Sequence, residues 1–223
     1  MNFEINGKKY KVIKPNRKIE DEANKTYLSE FNRALKDGCM LAASMDSFLK
    51  EHKIWDVEKE NKIAEMRSEL GVIEKILTEE GGISLDEAKI KAEEAQMLRM
   101  QILNTVSYKK QYDDITVEKL ADDAKFNHLV SQCTLNEDGT KAFASYEAFM
   151  NSEDEDLGGQ AAYELGRVLY GDLLEFYSEL PENKFLIDYG FIDKNLKPIG
   201  DNKEEIKFKP FTSEAGEPVT PMK

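Results

Sequence analysis

The stretch Ser84–Tyr112, SLDEAKIKAEEAQMLRMQILNTVSYKKQY, indicates that this chain is mainly α-helical. It opens with Ser84-Leu-Asp-Glu87, which matches the S-x-x-E capping box that starts a helix. Apolar residues then recur at helical spacing. One face of the expected helix carries Leu85, Ala88, Ala92, Ala95, Ile102 and Val106. The alanines on that face predict close packing against another helix, and the stretch indicates one long amphipathic helix.

Two further long helices are predicted on the N-terminal side of this one. The first runs from Ile19 to about Trp55, with Gly38 marking a kink or a close approach between helices. The second runs from about Val57 to Leu77 and ends at Glu79-Glu-Gly-Gly82, because paired glycines destabilise a helix. Residues 16–113 are therefore expected to form a long-helix region.

Shorter elements are predicted on both sides of that region. Residues 1–15 are expected to form a β-hairpin, since Asn6-Gly7 is a type I′ turn signal between alternating strands. Residues 114–200 are expected to form a smaller α+β region. Its predicted elements are a helix capped by Thr116, a turn at 136–139, helices at 157–170, 173–177 and 181–189, and a second hairpin at 191–199. The polar residues 201–223 are expected to form an extended tail. The predicted fold class is thus mainly α, with a smaller α+β region, short hairpins and an extended C-terminal tail.

The charge balance excludes some classes of partner. The chain has 44 acidic and 31 basic residues among 223, which gives a net charge of −13 at pH 7. Such a surface repels phosphate backbones and anionic lipid, so neither nucleic acid nor a membrane is expected as a direct partner. The sequence has no signal peptide and no run of 18 apolar residues. We therefore expect a soluble, intracellular protein, and a virion assembled in the cytosol would show the same features.

The segment 134–145 resembles a calcium-binding loop and is the strongest candidate metal site. Aligning Gly139 with the invariant glycine of an EF-hand loop places Thr134 at position 1 and Ser145 at position 12, where the loop requires carboxylates. The bidentate glutamate is missing. Asn136-Glu-Asp-Gly139 also suits a hairpin turn, with Gly139 supplying the left-handed residue. The turn is the preferred interpretation, and calcium remains the alternative.

Catalytic motifs are not recognisable elsewhere in the chain. Its two histidines and two cysteines show no zinc-ligand spacing, and no phosphate-binding glycine loop is present. His128 and Cys133 are predicted to be a partly buried histidine and a core thiol, although the fold could still bring them together as a nucleophilic pair. We therefore predict no catalytic residue, no cofactor and no metal, and the protein is not expected to be an enzyme.

Surfaces for association are the feature that the sequence does offer. Helices with wide apolar stripes must pack on one another or leave part of a stripe for another chain. The tail carries isolated apolar residues among charges and prolines. These predicted partner-binding residues are Ile206, Phe208, Phe211 and Val219. A disordered end is the alternative interpretation of this tail.

Two segments carry a family resemblance. They are Ala121–Phe149, ADDAKFNHLVSQCTLNEDGTKAFASYEAF, and Ala161–Leu169, AAYELGRVL. Their order of a helix, a D-G-x-x-x-F turn, an acidic spacer and an alanine-rich helix resembles bacteriophage tail assembly chaperones and other structural or assembly proteins of tailed phages. The resemblance covers about residues 116–170, and it implies no catalytic residues.

The resemblance implies a non-enzymatic phage morphogenesis protein. Such a protein would be a virion structural component or a tail assembly chaperone, found in the host cytoplasm, in the virion or in both. Its expected partners are other phage structural or tail proteins, and it could also form a homo-oligomer. The N-terminal hairpin and long helices go beyond a minimal chaperone, so both roles stay open. The alternatives are an acidic adaptor directed at a host protein and a metal-dependent enzyme.

Overall fold

The computed structural model describes residues 1–80 and 82–199, together with the backbones of Phe211–Thr212 and Pro218–Val219. The predicted fold class is confirmed. Residues 1–80 and 82–199 are 68% helical, and this described part has nine α-helices and a small three-stranded antiparallel sheet. Most of the predicted tail, residues 201–223, lies outside the described residues.

The elements follow one another along the chain in this order. They are β1 (Asn2–Ile5), β2 (Lys8–Val12), α1 (Arg17–Lys36), α2 (Ala42–Glu51), α3 (Val57–Lys75), a π-helical turn (Ile76–Glu80), α4 (Leu85–Asp113), α5 (Val117–Cys133), β3 (Thr134–Asn136), α6 (Tyr146–Met150), α7 (Glu155–Tyr170), α8 (Leu173–Ser178), α9 (Pro181–Asp188), β4 (Phe211–Thr212) and β5 (Pro218–Val219). Strands β4 and β5 pair with each other.

The chain divides into two compact units, each built from two separate stretches of sequence. The first unit comprises residues 1–54 and 110–172, and the second comprises residues 55–109 and 173–223. Each unit therefore combines segments that are distant along the chain.

The sheet belongs to the first unit and begins with the predicted hairpin. Asn6 and Gly7 have φ angles of 50° and 74°, as a type I′ turn requires, so the hairpin prediction is confirmed. Strand β3 then pairs antiparallel with β2, placing Val12 opposite Thr134. This third strand was not predicted, because its partner lies more than 100 residues away in the chain.

The core of the first unit forms where α1, α5 and α7 meet the sheet. Helix α1 packs along α5, and α5 also contacts α7. The buried core residues of this cluster are Val12, Ala23, Leu129, Val130, Cys133, Ala161 and Leu165. Alanine at two of these positions allows the helices to approach closely.

The first predicted helix, Ile19–Trp55, is wrong in one respect: it is two helices. Gly38 adopts a φ of 84°, and the Cys39 and Gly38 amides donate to the carbonyls of Ala34 and Leu35. These bonds form a Schellman motif, which ends a helix rather than kinking it. A new helix, α2, then begins at Ala42, whose amide donates to Oε2 of Glu118 at 2.9 Å.

Other local predictions in the first unit are confirmed by their hydrogen bonds. Thr116 Oγ1 accepts from the Lys119 amide and caps α5. Gly139 has a φ of 83°, and the Asn136 amide donates to the Thr140 carbonyl, so the segment is a hairpin turn. Helix α6, capped by Ser145, was not predicted because it is only five residues long.

In the second unit the predicted start of α4 is confirmed. The Ser84 amide donates to Glu87 Oε2 at 2.9 Å, and the Glu87 amide donates to Ser84 Oγ at 3.2 Å, which completes the capping box. Helix α9 starts at Pro181 as predicted. The predicted second hairpin, 191–199, forms a tight turn without two regular strands. One isolated antiparallel bridge joins Ile192 to Pro198.

Candidate protein-binding groove

An apolar groove on the second unit is the candidate functional site. Its cavity volume is about 460 Å³. The residues that line the groove are Arg67 and Leu70 of α3, Arg99, Met100, Ile102, Leu103 and Val106 of α4, and Phe176, Tyr177 and Leu180 around α8. The side chains of Met100, Leu103 and Phe176 are 56%, 50% and 61% exposed, so much of this apolar surface faces solvent.

The groove continues the predicted apolar face of α4. Ala88, Ala92 and Ala95 are fully buried, so this face of α4 is covered by other residues. Ile102 and Val106 follow on the same face at helical spacing, and they line the groove. The apolar face of α4 therefore extends beyond the residues that cover it, and the uncovered end is open to another molecule.

A buried ion pair holds one wall of the groove in place. The Arg99 guanidinium donates to both carboxylate oxygens of Glu182, with Nη2 to Oε2 at 3.2 Å, and also pairs with Glu74. The Glu182 side chain is fully buried. Desolvation lowers the pKa of Arg99, but the hydrogen bonds and charges of Glu182 and Glu74 outweigh it, and the pKa lies above its usual value. Arg99 thus ties α9 and α3 to α4.

A second polar contact extends this tie to α8. Gln96, one turn before Arg99, donates to Asn183 Oδ1 at 2.6 Å. Asn183 in turn donates to the backbone carbonyl of Tyr177 at 2.8 Å. Because Tyr177 lines the groove, the position of this wall depends on hydrogen bonds from α4. The groove is therefore built on fixed elements rather than on a loop.

Arg67 differs from Arg99 in its surroundings. Among the side chains of residues 1–79 and 82–199, no carboxylate forms an ion pair with Arg67. In the groove, the charge of Arg99 is therefore neutralised, whereas the charge of Arg67 is not. The chain as a whole has a net charge of −13. The available charge of Arg67 would attract an acidic group on a bound molecule.

The predicted partner-binding residues cannot be placed against this groove. Ile206 and Phe208 lie outside the described residues. Phe211 and Val219 are paired through their strand backbones, and their side chains lie outside the description. Their role stays a prediction.

His128 and Cys133 have the environments predicted for them. Cys133 is fully buried, and burial raises the pKa of its thiol to about 11, which keeps it protonated. His128 Nδ1 lies 2.8 Å from Thr26 Oγ1, and its ring stacks on Tyr146 with centroids 5.6 Å apart. Burial lowers the pKa of His128, against the opposing charges of Glu22 and Glu147. These contacts describe a packed histidine and, separately, an unactivated buried thiol.

In the calcium-like loop, the Asp138 carboxylate accepts hydrogen bonds from the loop itself. Asp138 Oδ1 accepts from the amide and the hydroxyl of Thr140, at 2.9 and 2.6 Å. These hydrogen bonds lower the pKa of Asp138 and stabilise the turn. Across the described ranges, 1–80 and 82–199, no group of three or more Asp, Glu, His or Cys side chains is placed to hold a metal ion.

Two of the groove residues on α4 were predicted from the sequence to lie on an apolar face, and others were not. Ile102 and Val106 were assigned to an apolar face, and an uncovered stripe was expected to bind another chain. Met100 and Leu103 lie beside that face and were missed. A usable signal was Arg99 on the apolar face between Ala95 and Ile102, since a charged residue there predicts a buried partner.

Comparisons with protein-family models, with curated proteins and with solved structures found no match to this chain in any of the three. Among the described helices, none is both long enough and apolar enough to cross a membrane.

Proposed function

We propose that this protein acts by binding other protein subunits through the apolar groove. The observation that carries the proposal is the exposed methionine, leucine and aromatic surface of Met100, Leu103 and Phe176 on a fixed helical frame. Aromatic residues and methionine are enriched at protein interfaces, where methionine adapts to irregular surfaces. A groove between helices also suits a bound segment whose apolar side chains point one way.

The lining favours a protein partner over a small substrate. Small-molecule sites combine an apolar lining with several polar groups that converge on the ligand. The polar groups in this groove are two arginines and Tyr177, and Arg99 is already paired with carboxylates of its own unit. Little remains to orient a reacting group, whereas the apolar surface suits protein association.

The biological setting that we propose is phage morphogenesis. The support for it is the resemblance of residues 116–170 to tail assembly chaperones and to structural proteins of tailed phages. In this setting the protein is a virion component or a chaperone, its partners are other phage structural or tail proteins, and it resides in the host cytoplasm, in the virion or in both. A chaperone would shield the apolar surface of an unassembled subunit and then leave, whereas a virion component would remain.

The test compares three full-length tagged proteins purified from infected cells, with their partners identified by mass spectrometry. The proteins are the wild type, Leu103→Glu in the groove, and the control Leu28→Glu on α1, where the leucine is 59% exposed. We expect phage structural subunits with the wild type and the control, and their loss with Leu103→Glu. Equal recovery with all three proteins would refute the role of the groove. Recovery of host proteins alone would refute the phage setting.

Mass spectrometry of purified particles then separates the two roles. A stoichiometric amount in mature particles is expected for a structural component, and absence from them is expected for a chaperone.

A further inference from the structure

We propose that the groove binds the C-terminal segment Glu204–Phe208 of a second copy of this chain. The inference rests on the proposed function, because it names one partner of the same groove. The segment reads Glu-Glu-Ile-Lys-Phe, and it contains two of the predicted partner-binding residues, Ile206 and Phe208. Two carboxylates thus precede two alternate apolar residues.

The length of the groove suits this segment. Arg99 pairs with Glu74, and Arg67 of α3 and Val106 of α4 line the same groove, as expected for helices that run in opposite directions. Arg67 lies seven residues before Glu74, and Val106 lies seven residues after Arg99. At 1.5 Å per residue, the Arg67 end is about 10 Å from the Arg99 end. In an extended peptide, residues two apart point the same way and are about 7 Å apart, so both apolar side chains fit within that length.

The charges fix the direction of the bound segment. Arg99 already has two carboxylate partners, so a third would be repelled there. Arg67 has no such partner among the described residues, and it attracts the carboxylates of Glu204 and Glu205. Ile206 and Phe208 then extend from Arg67 toward Arg99, over Leu103.

The direction disfavours the chain's own tail as the occupant. The Ile199 amide donates to the Phe191 carbonyl at 3.1 Å. The Lys89 ammonium lies over the Phe191 ring, 5.1 Å from the ring centroid. The continuous described segment therefore ends at Ile199, beside Phe191 and Lys89. Lys89 lies 17 residues before Val106, or about 25 Å along α4 from the Arg67 end. Glu204 lies five residues after Ile199, and five extended residues span about 17 Å. A tail from the same copy would reach Arg99 first, in the wrong direction.

A tail from a second copy is limited neither by the reach of the five residues after Ile199 nor by entry from the Arg99 end. The resulting contact joins two different surfaces, the groove of one copy and the tail of the next. Such a heterologous contact builds closed rings or open chains, according to the rotation between copies. Repetition of one subunit in this way fits a component of a symmetric phage assembly.

The test uses full-length proteins and measures self-association by analytical ultracentrifugation. We expect the wild type to associate as its concentration rises, and both Leu103→Glu and the tail variant Ile206→Glu/Phe208→Glu to stay monomeric. A mixture of the two variants should form a one-to-one pair, because one supplies an intact tail and the other an intact groove. Leu28→Glu should associate as the wild type does.

A charge reversal tests the orientation. Arg67→Glu should weaken association about fivefold, as expected for an exposed ion pair. Adding Glu204→Arg and Glu205→Arg to that variant should restore it. A wild type that is monomeric up to about 100 µM, or a mixture that fails to pair, would overturn the inference. The proposed function would survive that result if Leu103→Glu still lost its phage partners, and it would fail if Leu103→Glu kept them.

Discussion

The buried Arg99–Glu182 pair should dominate the stability of the second unit, and replacing Arg99 by methionine tests this. Arg99 supplies two charged hydrogen bonds to a carboxylate that is fully buried. Methionine removes both and leaves that charge without a partner. Removing one partner of a buried pair typically costs about 3–5 kcal/mol. The Arg99 side chain is 29% exposed, so water can partly replace it, and we expect about 3 kcal/mol.

The assay is urea unfolding at pH 7, followed by circular dichroism at 222 nm. Two further variants isolate the buried charge as the cause. Arg99→Met/Glu182→Met replaces the pair with apolar side chains. Arg99→Met/Glu182→Gln replaces the unpaired carboxylate of the Arg99→Met variant with a neutral amide. Both should be more stable than Arg99→Met alone, since neither leaves an unpaired buried carboxylate. The control Arg33→Met removes the ion pairs that the exposed Arg33 guanidinium makes with Glu30 and Asp37, and it should leave the unfolding midpoint nearly unchanged.

An unpaired buried charge is ruled out as the cause if Arg99→Met unfolds at the same urea concentration as Arg33→Met, or if Glu182→Gln gives no recovery in the Arg99→Met background. Either result would mean that water or another cation satisfies Glu182, and the groove wall would then not depend on this pair.

Two other predictions concern the first unit. Gly38→Ala should destabilise the protein by about 1 kcal/mol, because alanine is disfavoured at a φ of 84°, whereas Gly159→Ala in α7, with open space around it, should stabilise it by up to about 1 kcal/mol. Thermal unfolding of both variants measures this, and equal shifts would contradict it. The lowered pKa of His128 means that the folded state binds its proton less readily than the unfolded state, so stability is present above about pH 6.5 and is lost as the pH falls below it. Unfolding midpoints at pH 7.5 and 5.5 should therefore differ more for the wild type than for His128→Gln, and identical differences would exclude this contribution.

Local signals predicted most elements, since their causes lie within a few residues. The Ser84–Glu87 capping box, the Asn6-Gly7 turn and the Thr116 cap each depend on neighbours in sequence, and each was found where it was expected. The break at Gly38 was missed because apolar residues before and after it keep a helical spacing. Periodicity alone cannot distinguish one helix from two that share it.

Long-range contacts account for what the sequence did not reveal. The groove depends on the pairing of Arg99 with Glu182, which lies 83 residues further on. Nothing near either residue identifies the other. The uncovered stripe of α4 was expected in general terms, but its position depends on where α8 and α9 cover the helix and where they do not.

The pairing of β2 with β3 has a consequence for biosynthesis. Val12 cannot pair until Thr134 has been synthesised, 122 residues later. At a translation rate of about 5–20 residues per second, the nascent hairpin stays without its third strand for roughly 6–24 s. During that interval the edge of β2 can pair with other nascent chains. The long sequence separation of this pairing thus leaves the N-terminal hairpin exposed to misassembly during synthesis.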